Sequence, residues 1–199
     1  PFESIFRLNV IGFSELRELD AQALANSSLS ALFIKKSKLS IIDSLAFKPS
    51  WTTLTTLDLS YNQLNKLPIH SLINFSSLQW LSLKGNQIDD VSLLLIHPNT
   101  TDLWSTLQNL FLGDNLLTSL PDSTFIKLVN LQFLDLDNNL ITKIEGIPFP
   151  SSLESLSLAH NLLEKIPFQA FWNLHKLKWI ILRGNNIKQL PGHWPFAIP

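Results

Sequence analysis

The sequence predicts a repeat protein folded as a solenoid, in which each unit contributes one short strand to a shared sheet. Residues 131–139 read Leu-x-x-Leu-x-Leu-x-x-Asn, and related segments recur along the chain. Successive units begin 24, 25, 24, 29, 24, 22 and 24 residues apart. A period of this kind indicates one array rather than several unrelated domains. The first apolar residues of the units are Ile5, Leu29, Leu54, Leu78, Leu107, Leu131, Leu153 and Leu177.

Each unit begins with a pattern typical of a half-buried strand. In Leu134-Asp135-Leu136 the polar residue separates two apolar ones, and strand side chains alternate between the two faces. One unit cannot bury its apolar face alone, so we expect copies to stack above and below it. An amide follows the strand, where it can bond backbone groups that the turn leaves unpaired. This column contains Asn62, Asn86, Asn115, Asn139, Asn161 and Asn185, and Phe13 and Ser37 replace asparagine in the first two units.

The second half of each unit carries a bend and a further apolar column. Leu-Pro or Ile-Pro recurs at residues 67–68, 120–121, 166–167 and 190–191. Proline lacks the N–H that a hydrogen-bond ladder needs, so it suits a bend outside the sheet. We expect the phenylalanines of the apolar column to stack as a spine behind the sheet. The column contains Leu24, Phe47, Leu72, Phe125, Phe149 and Phe171.

The composition excludes several classes of protein. Hydrophobic residues make up 45% of the chain, which is enough for a continuous core, but no run of 18 apolar residues suggests a membrane span. The formal net charge of −1 gives no reason to expect bulk attraction to nucleic acid. The absence of cysteine excludes disulfides, thiolate metal sites and cysteine nucleophiles. The chain begins at Pro1 and contains no methionine, which predicts a mature chain or an excised segment.

These motifs resemble the typical class of leucine-rich repeats, L-x-x-L-x-L-x-x-N-x-L-x-x-L-P-x-x-x-F-x-x-L-x-x-L. Leu107–Leu131 matches this pattern at almost every position, including Phe125 and Leu128. The chain is similar to the ectodomains of Toll-like receptors, chaoptin, Slit and the small leucine-rich proteoglycans. The resemblance implies an α/β solenoid, a right-handed superhelix with a concave parallel β-sheet of about eight strands and an irregular or short-helical convex side. It extends over residues 1–199, which we interpret as a single array.

One departure from extracellular members of this family concerns the ends. Those members usually close both ends with cysteine-bearing caps, and this chain has no cysteine. The ends of a solenoid need a polar cover. The sequence therefore leaves two interpretations, either an excised fragment of a longer ectodomain or a natural capless array whose ends a partner covers.

The sequence offers no motif for catalysis, a cofactor or a metal. It contains no Gly-x-Ser-x-Gly, His-Glu-x-x-His, P-loop or Gly-x-Gly-x-x-Gly. Asp135-x-Asp137-x-Asn139 imitates the opening of a calcium loop, but Leu140 stands where that loop needs glycine. We also assign Leu136 and Leu140 to the core of the repeat. The five histidines share no metal-ligand spacing. We therefore predict a protein that is not an enzyme and has no metal or cofactor.

The residues between and just after the strand leucines point away from the core, and we predict that they bind the ligand. Trp80, Phe111 and Phe133 have no evident structural need to be aromatic, and exposed aromatics beside charges are typical of binding hot spots. The alternative is that these rings pack against each other or cover the edge of the sheet. The candidate residues are Asp58, Tyr61, Trp80, Lys84, Phe111, Asp114, Phe133, Asp135, Asp137, His160, Trp179 and Arg183.

The charges of this surface predict the chemistry of its ligand. Acidic residues crowd the middle units, whereas the basic residues, Lys84 among them, fall nearer the flanks. We expect a basic ligand segment with apolar anchors to complement the centre. The acidic residues are Asp58, Asp114, Asp135 and Asp137.

Three sequons of the form Asn-x-Ser or Asn-x-Thr predict glycosylation at Asn26, Asn74 and Asn99. None of them uses an asparagine of the repeat column. Asn99 falls in the insertion at residues 97–104, which lengthens the fourth unit. We interpret this insertion as neutral and place Trp104 in the core.

The sequence thus favours a non-enzymatic protein-recognition module of an extracellular or cell-surface protein. It would bind a protein ligand, and not nucleic acid, through the concave face, with no membrane span in this segment. One alternative is a structural matrix or adhesion component that assembles through its ends or convex face, including a homodimer through the open ends or the concave face. A second alternative is a cytoplasmic regulator or enzyme inhibitor, which the missing cysteines permit.

Overall fold

The computed structural model describes residues 6–96 and 105–189, which form a stack of short strands joined by turns. The strands of this part are β1 (Arg7–Ile11), β2 (Glu18–Leu19), β3 (Ala31–Lys35), β4 (Ile41–Ile42), β5 (Thr56–Asp58), β6 (Trp80–Ser82), β7 (Asn109–Phe111), β8 (Ser119–Leu120), β9 (Phe133–Asp135), β10 (Lys143–Ile144), β11 (Ser155–Ser157) and β12 (Trp179–Ile181). Short helices lie between them, namely α1 (Ile69–Leu72), α2 (Leu93–Ile96) and the 3-10 helices Lys48–Ser50 and Phe168–Phe171.

One strand from each unit joins a parallel sheet of eight strands. Its order is β1-β3-β5-β6-β7-β9-β11-β12, so each unit pairs with the next unit in the chain. The register keeps equivalent residues side by side, and Asn109 of β7 lies between Trp80 of β6 and Phe133 of β9. The predicted solenoid with a sheet of about eight parallel strands is confirmed.

The asparagine column forms a ladder at the carboxyl ends of these strands. The side-chain amide of Asn139 donates to the carbonyl oxygens of Leu112, at 3.0 Å, and of Leu136, at 3.1 Å. Its side-chain oxygen accepts from the N–H of Leu117 at 3.0 Å. Each asparagine therefore ties its own unit to the preceding one. The same set of bonds is made by Asn62, Asn86, Asn115, Asn161 and Asn185.

Ser37 fills the same place in the second unit with fewer bonds. Its hydroxyl accepts from the N–H of Phe13 at 3.1 Å and donates to the carbonyl of Lys35 at 3.1 Å. A hydroxyl has one proton to donate, whereas an amide has two. The ladder is therefore weaker where the first two units meet.

The phenylalanine spine is buried behind the sheet. Phe149 stacks between Phe125, at 6.3 Å between ring centroids, and Phe171, at 5.8 Å. Phe47 packs against Phe75 at 5.7 Å, and all five rings are at most 1% exposed. The predicted spine is confirmed, except that the third unit supplies its ring from Phe75, three residues after the predicted column.

The side opposite the sheet consists mainly of turns. Two short parallel pairs lie there, β2 with β4 and β8 with β10, together with helical segments of three or four residues. The irregular or short-helical convex side is therefore confirmed.

The assignment of Leu140 to the core is wrong. Leu136 is fully buried, but 44% of Leu140 is exposed. The neighbouring Ile141 is the buried residue, since only one of two consecutive apolar residues can point into the core here. The insertion at residues 97–104, with Trp104 and Asn99, lies outside the described residues.

Candidate ligand-binding face

The outer surface of the sheet is formed by the first and third residues of each strand. In β5, β6, β9 and β11 the middle residue is a fully or almost fully buried leucine, and the first residue is partly exposed. The repeat thus fixes where each outer side chain stands without fixing its identity. The candidate residues of β5, β6, β7 and β9 lie on this surface.

Three aromatic residues of the central strands pack together, and we call them the aromatic cluster. The Phe111 ring lies 4.9 Å from that of Trp80 and 5.0 Å from that of Phe133, measured between centroids. Phe111 is the third residue of β7, whereas Trp80 and Phe133 are the first residues of β6 and β9, so the contacts run diagonally. The rings do pack against each other, as the structural alternative expected, yet all three remain partly exposed. The cluster is a preformed apolar platform.

A charge cluster of Lys84, Asp114, Asp135 and Asp137 spans the fourth to the sixth units. The Lys84 Nζ atom lies 3.5 Å from Asp114 Oδ2 and 3.8 Å from Asp135 Oδ2. The expectation that Lys84 lies on the flank is wrong, because its long side chain reaches across two units into the acidic centre. The ammonium group of Lys84 therefore neutralises part of the acidic charge in the middle of the face.

The charge cluster shifts two pKa values. Burial raises the pKa of Asp135, and the nearby carboxylates of Asp137 and Asp114 raise it further. The hydrogen bond from the Asp137 N–H and the charge of Lys84 lower this pKa, but the net shift is upward. For Lys84, burial lowers the pKa, but the combined attraction of Asp135, Asp114 and Tyr61 outweighs it and the net shift is upward. Lys84 pairs with Asp135 and Asp114, and Asp137 adds a third carboxylate beside Asp135, so burial and repulsion outweigh the attraction of Lys84 at Asp135.

Asp58 is held inside the structure rather than presented to a ligand. It is 3% exposed, its Oδ2 lies 2.8 Å from Lys35 Nζ, and its Oδ1 accepts from the N–H of Ser60 at 3.0 Å. Asp135 is likewise only 8% exposed. Asp58 and Asp135 therefore present little carboxylate surface, and the expectation that the four aspartates bind a basic ligand segment stays a prediction.

Asp137 is bonded to the next unit. Its Oδ1 accepts from the N–H of Ala159 at 2.8 Å and from the hydroxyl of Ser157. Asp114 pairs with Lys84 at 3.5 Å between Oδ2 and Nζ, yet its side chain is 33% exposed. An incoming basic group can therefore reach Asp114.

The residue before each rung of the ladder has a left-handed backbone. Glycine adopts this conformation freely, whereas other residues cost about 1–2 kcal/mol there. Tyr61 nevertheless occupies it at φ 56° with 44% exposure, and its ring lies against Gly85 of the next unit. His160 lies against Gly184 in the same way. The column contains Gly12, Lys36, Tyr61, Gly85, Asp114, Asn138, His160 and Gly184, with φ between 51° and 78°.

The remaining candidates lie away from the aromatic cluster. Trp179, on the edge strand β12, is 65% exposed, and the small Ser155 of β11 separates it from Phe133. Arg183 is exposed beyond that strand. The structure therefore brings the central residues together and leaves Trp179 and Arg183 apart from them.

Sequence reasoning missed one residue that shapes the face. Gly113 faces Asp135, and a Cβ atom at this position would lie 3.0 Å from Asp135 Oδ2. The glycine lets the carboxylate approach the backbone of the neighbouring unit. A lone glycine in a column of larger residues was the available signal.

Comparisons with known proteins establish the family. The leucine-rich repeat family model matches residues 27–88, 105–149 and 130–187, which is more than half of the chain. The chain belongs to the leucine-rich repeat family. Human Toll-like receptor 3 is 33% identical over an alignment of 164 residues, which covers 68% of this chain and 18% of the receptor. The chain thus spans less than a fifth of the length of that relative.

Solved leucine-rich repeat structures share the fold. The Toll–Spatzle complex of Drosophila superposes with a TM-score of 0.74 at 28% identity, over 90% of this chain and 24% of that one. The TLR13–ssRNA13 complex superposes with a TM-score of 0.70 at 26% identity, over 94% of this chain and 29% of that one. One of these relatives is in complex with a protein and the other with RNA, so the likeness by itself leaves the partner type open.

Two sequons of this leucine-rich repeat chain lie on accessible surface. Asn26 and Asn74 are both exposed, in the turns that precede β3 and β6. Glycosylation at these residues stays a prediction.

Within residues 6–96 and 105–189, no helix is both long and apolar enough to cross a bilayer. Within the same ranges, no three histidine or acidic side chains converge as a metal site would require.

Proposed function

We propose that this leucine-rich repeat chain is a non-enzymatic recognition module of an extracellular or cell-surface protein, and that it binds a protein ligand through its concave face. The observation that carries this proposal is the aromatic cluster of Trp80, Phe111 and Phe133 on the outer surface of the sheet. We further propose that residues 1–199 act as one array.

Other units of the repeat show which residue types the fold accepts at the positions of Trp80 and Phe133. Thr56 and Ser155 occupy the same strand position as Trp80 and Phe133, in the same register. A small polar side chain is therefore compatible with the fold at this position. Large aromatic rings that the fold does not require, and that remain partly exposed, support a role in binding.

The chemistry of the cluster favours a ligand with apolar anchors and one basic group at its edge. The rings offer apolar surface at small entropic loss, because they are already packed against one another. Beside them, Asp114 presents a carboxylate side chain that is 33% exposed. A lysine or arginine of the ligand would meet Asp114 while apolar side chains cover the rings.

A protein ligand fits this face better than RNA does. Recognition of a phosphate backbone relies on lysine and arginine, which neutralise its charge. The centre of this face instead has the three carboxylates of Asp114, Asp135 and Asp137 and one ammonium group, that of Lys84, and the formal net charge of the chain is −1. The RNA in the TLR13 complex is therefore not carried over to this chain.

Site-specific crosslinking tests the proposal. Benzoylphenylalanine would replace Asn109, between Trp80 and Phe133, or in a control Ile126, which lies outside the sheet and is 42% exposed. Each secreted full chain would be irradiated with intact cells and conditioned medium of the source organism. We expect the Asn109 position alone to capture a species that protease destroys and ribonuclease does not. Capture from Ile126 alone, or capture of RNA, would contradict the proposal.

The extracellular setting has a separate test. Mass measurement of the secreted chain, before and after enzymatic glycan removal, should show loss of N-glycan mass that maps to Asn26, Asn74 or Asn99. Asn74→Gln should remove the glycan of one site. Absence of N-glycan mass after native expression would favour the cytoplasmic alternative.

A further inference from the structure

A row of exposed leucines runs along the flank of three consecutive units, just after the asparagine ladder. Leu116 and Leu140 are each 44% exposed and Leu162 is 42% exposed. The three residues occupy one position of the repeat, directly after Asn115, Asn139 and Asn161. We call these three side chains the leucine row.

The fold does not require leucine at this position. The other units have polar residues there, and from the second to the seventh unit the next residue along is the buried one. Three apolar side chains in register form a continuous patch, unlike the single exposed apolar residues that any surface has. The polar residues at this position are Ser14, Lys38, Gln63, Gln87 and Asn186.

The spacing of the row is fixed by backbone hydrogen bonds. The N–H of Leu140 donates to the carbonyl of Leu117 at 2.8 Å, and that of Leu162 donates to the carbonyl of Ile141 at 3.0 Å. The N–H of Leu116 donates to the carbonyl of Ile88 at 2.9 Å. Parallel chains bonded in this way lie about 4.8 Å apart, so the row extends over roughly 10 Å.

This spacing selects the shape of a partner. One turn of an α-helix rises about 5.4 Å, so helix side chains at i, i+4 and i+7 would drift from the row by about 1 Å over its length. An extended strand laid along the row presents one face every 6.7 Å or so, and would drift by nearly 4 Å over the same length. A helix can therefore contact all three leucines at once, and a strand cannot.

The charged residues beside the leucine row indicate the charge of that partner. A groove of about 360 Å³ lies beside Leu162, and Lys143, Lys165 and Glu164 are among its lining residues. Lys143 pairs with Glu145 at 2.6 Å and Glu164 pairs with Lys188 at 3.3 Å. Lys165 is exposed and has no ion-pair partner within the described ranges. An acidic side chain on one flank of the partner helix would form an ion pair with Lys165.

We infer that the leucine row is a second docking surface, which takes an amphipathic helix of a partner protein with an apolar stripe and an acidic flank. This mode of recognition reads anchors at i, i+4 and i+7. The surface lies beside the ladder and shares no residue with the aromatic cluster, which belongs to the strands of the sheet.

A synthetic peptide tests this inference on the full chain. The probe is a labelled, lactam-stapled 14-residue helix with leucine at i, i+4 and i+7 and glutamate along one flank. Its control has the same composition in scrambled order. We expect fluorescence anisotropy to show binding of the stapled helix and not of the scrambled peptide. Equal binding of both peptides, or of neither, overturns the inference.

Matched protein variants locate the contact. Leu116→Gln, Leu140→Gln and Leu162→Gln together place at the row the residue that Gln63 and Gln87 already provide in other units. We expect this triple variant to weaken helix binding by about tenfold or more, with unchanged thermal unfolding. Ile126→Gln with Val129→Gln removes exposed apolar residues elsewhere and should bind as the parent does. Wild-type affinity in the triple variant overturns the inference.

Two further measurements separate other occupants. Lys165→Glu should weaken binding of the acidic helix at low ionic strength, and an unchanged affinity would contradict the assigned charge. Sedimentation of the chain alone should show no self-association that the triple variant abolishes, since such a result would make the row a contact between two copies. Trp80→Ser should leave helix binding unchanged, so failure of this inference and failure of the concave-face proposal are distinguishable.

Discussion

Two adjacent columns at the ends of the strands differ in how much their residue type varies from unit to unit. The ladder column is asparagine in six units, and each asparagine bonds at least two carbonyls and one N–H of the backbone. The column one residue earlier is left-handed throughout yet contains Lys36, Tyr61, Asp114, Asn138 and His160 among glycines. The uniform column specifies the fold. The variable column, like the outer strand positions, is free to specify binding.

The largest effect should come from the uniform core. Phe149→Ala removes a ring stacked between two others at 0% exposure, and should lower the free energy of unfolding by about 3–5 kcal/mol. Phe133→Ala, at a partly exposed outer position, should lower it by about 1 kcal/mol. Urea unfolding of both variants checks the difference. Equal losses would break the distinction between core and face.

A smaller effect is expected from the ladder. Asn139→Ala leaves the buried Leu117 N–H without its acceptor, while the Leu112 carbonyl keeps the amide of Asn115, and should lower the free energy of unfolding by about 2 kcal/mol. Asn138→Ala, one residue earlier, should lower it by only about 1 kcal/mol, the strain of alanine in a left-handed backbone. Thermal unfolding compares the two. A larger loss for Asn138→Ala would reverse the roles given to the two columns.

The left-handed backbone of the variable column should also make residues other than glycine less stable there. Tyr61→Gly should be more stable than Tyr61→Ala by about 1 kcal/mol, because glycine alone adopts φ 56° freely. Chemical unfolding at equilibrium measures this gap. If the two variants unfold alike, the left-handed backbone of Tyr61 is not strained.

The smallest effect concerns Asp135 and depends on pH. Its pKa is raised in the folded chain, chiefly by burial, so the folded state holds this proton more tightly than the unfolded chain does. The ionised carboxylate therefore destabilises the fold above its raised pKa, and the penalty disappears as the pH falls towards the ordinary range of aspartate. Asp135→Asn should raise the unfolding temperature at pH 7 and lose this gain at acidic pH.

Unfolding scans between about pH 3 and pH 8 follow this effect. Asp89→Asn, at an exposed position, is the matched control and should change little at any pH. An Asp135→Asn variant that is less stable than the parent at pH 7 would mean that the pairing with Lys84 outweighs burial.

The fold was predictable from the sequence because every unit needs the same residue types at the same positions. Leucine at the strand positions, asparagine at the turn and phenylalanine behind the sheet each recur with one period. Leu140 was misassigned because Leu140 and Ile141 are both apolar. The pattern Asn-x-Leu identifies the second as the buried one, so this signal was present.

The site was less predictable because it depends on contacts between units. The columns placed Lys84 on a flank, yet the reach of its side chain brings its ammonium within 3.5 Å of Asp114 and 3.8 Å of Asp135. The diagonal packing of Phe111 between Trp80 and Phe133 likewise depends on rotamers and register. A list of column residues gives the members of a face but not how they neutralise or cover each other.

The most direct test of the central claim pairs affinity with stability. The protein captured by crosslinking at Asn109 would be purified and titrated against the parent chain, Phe111→Ser and Ile126→Ser. We predict that Phe111→Ser weakens binding by about 30-fold with little change in unfolding temperature, while Ile126→Ser binds as the parent does. Full affinity in Phe111→Ser together with lost affinity in Ile126→Ser would contradict recognition through the concave face.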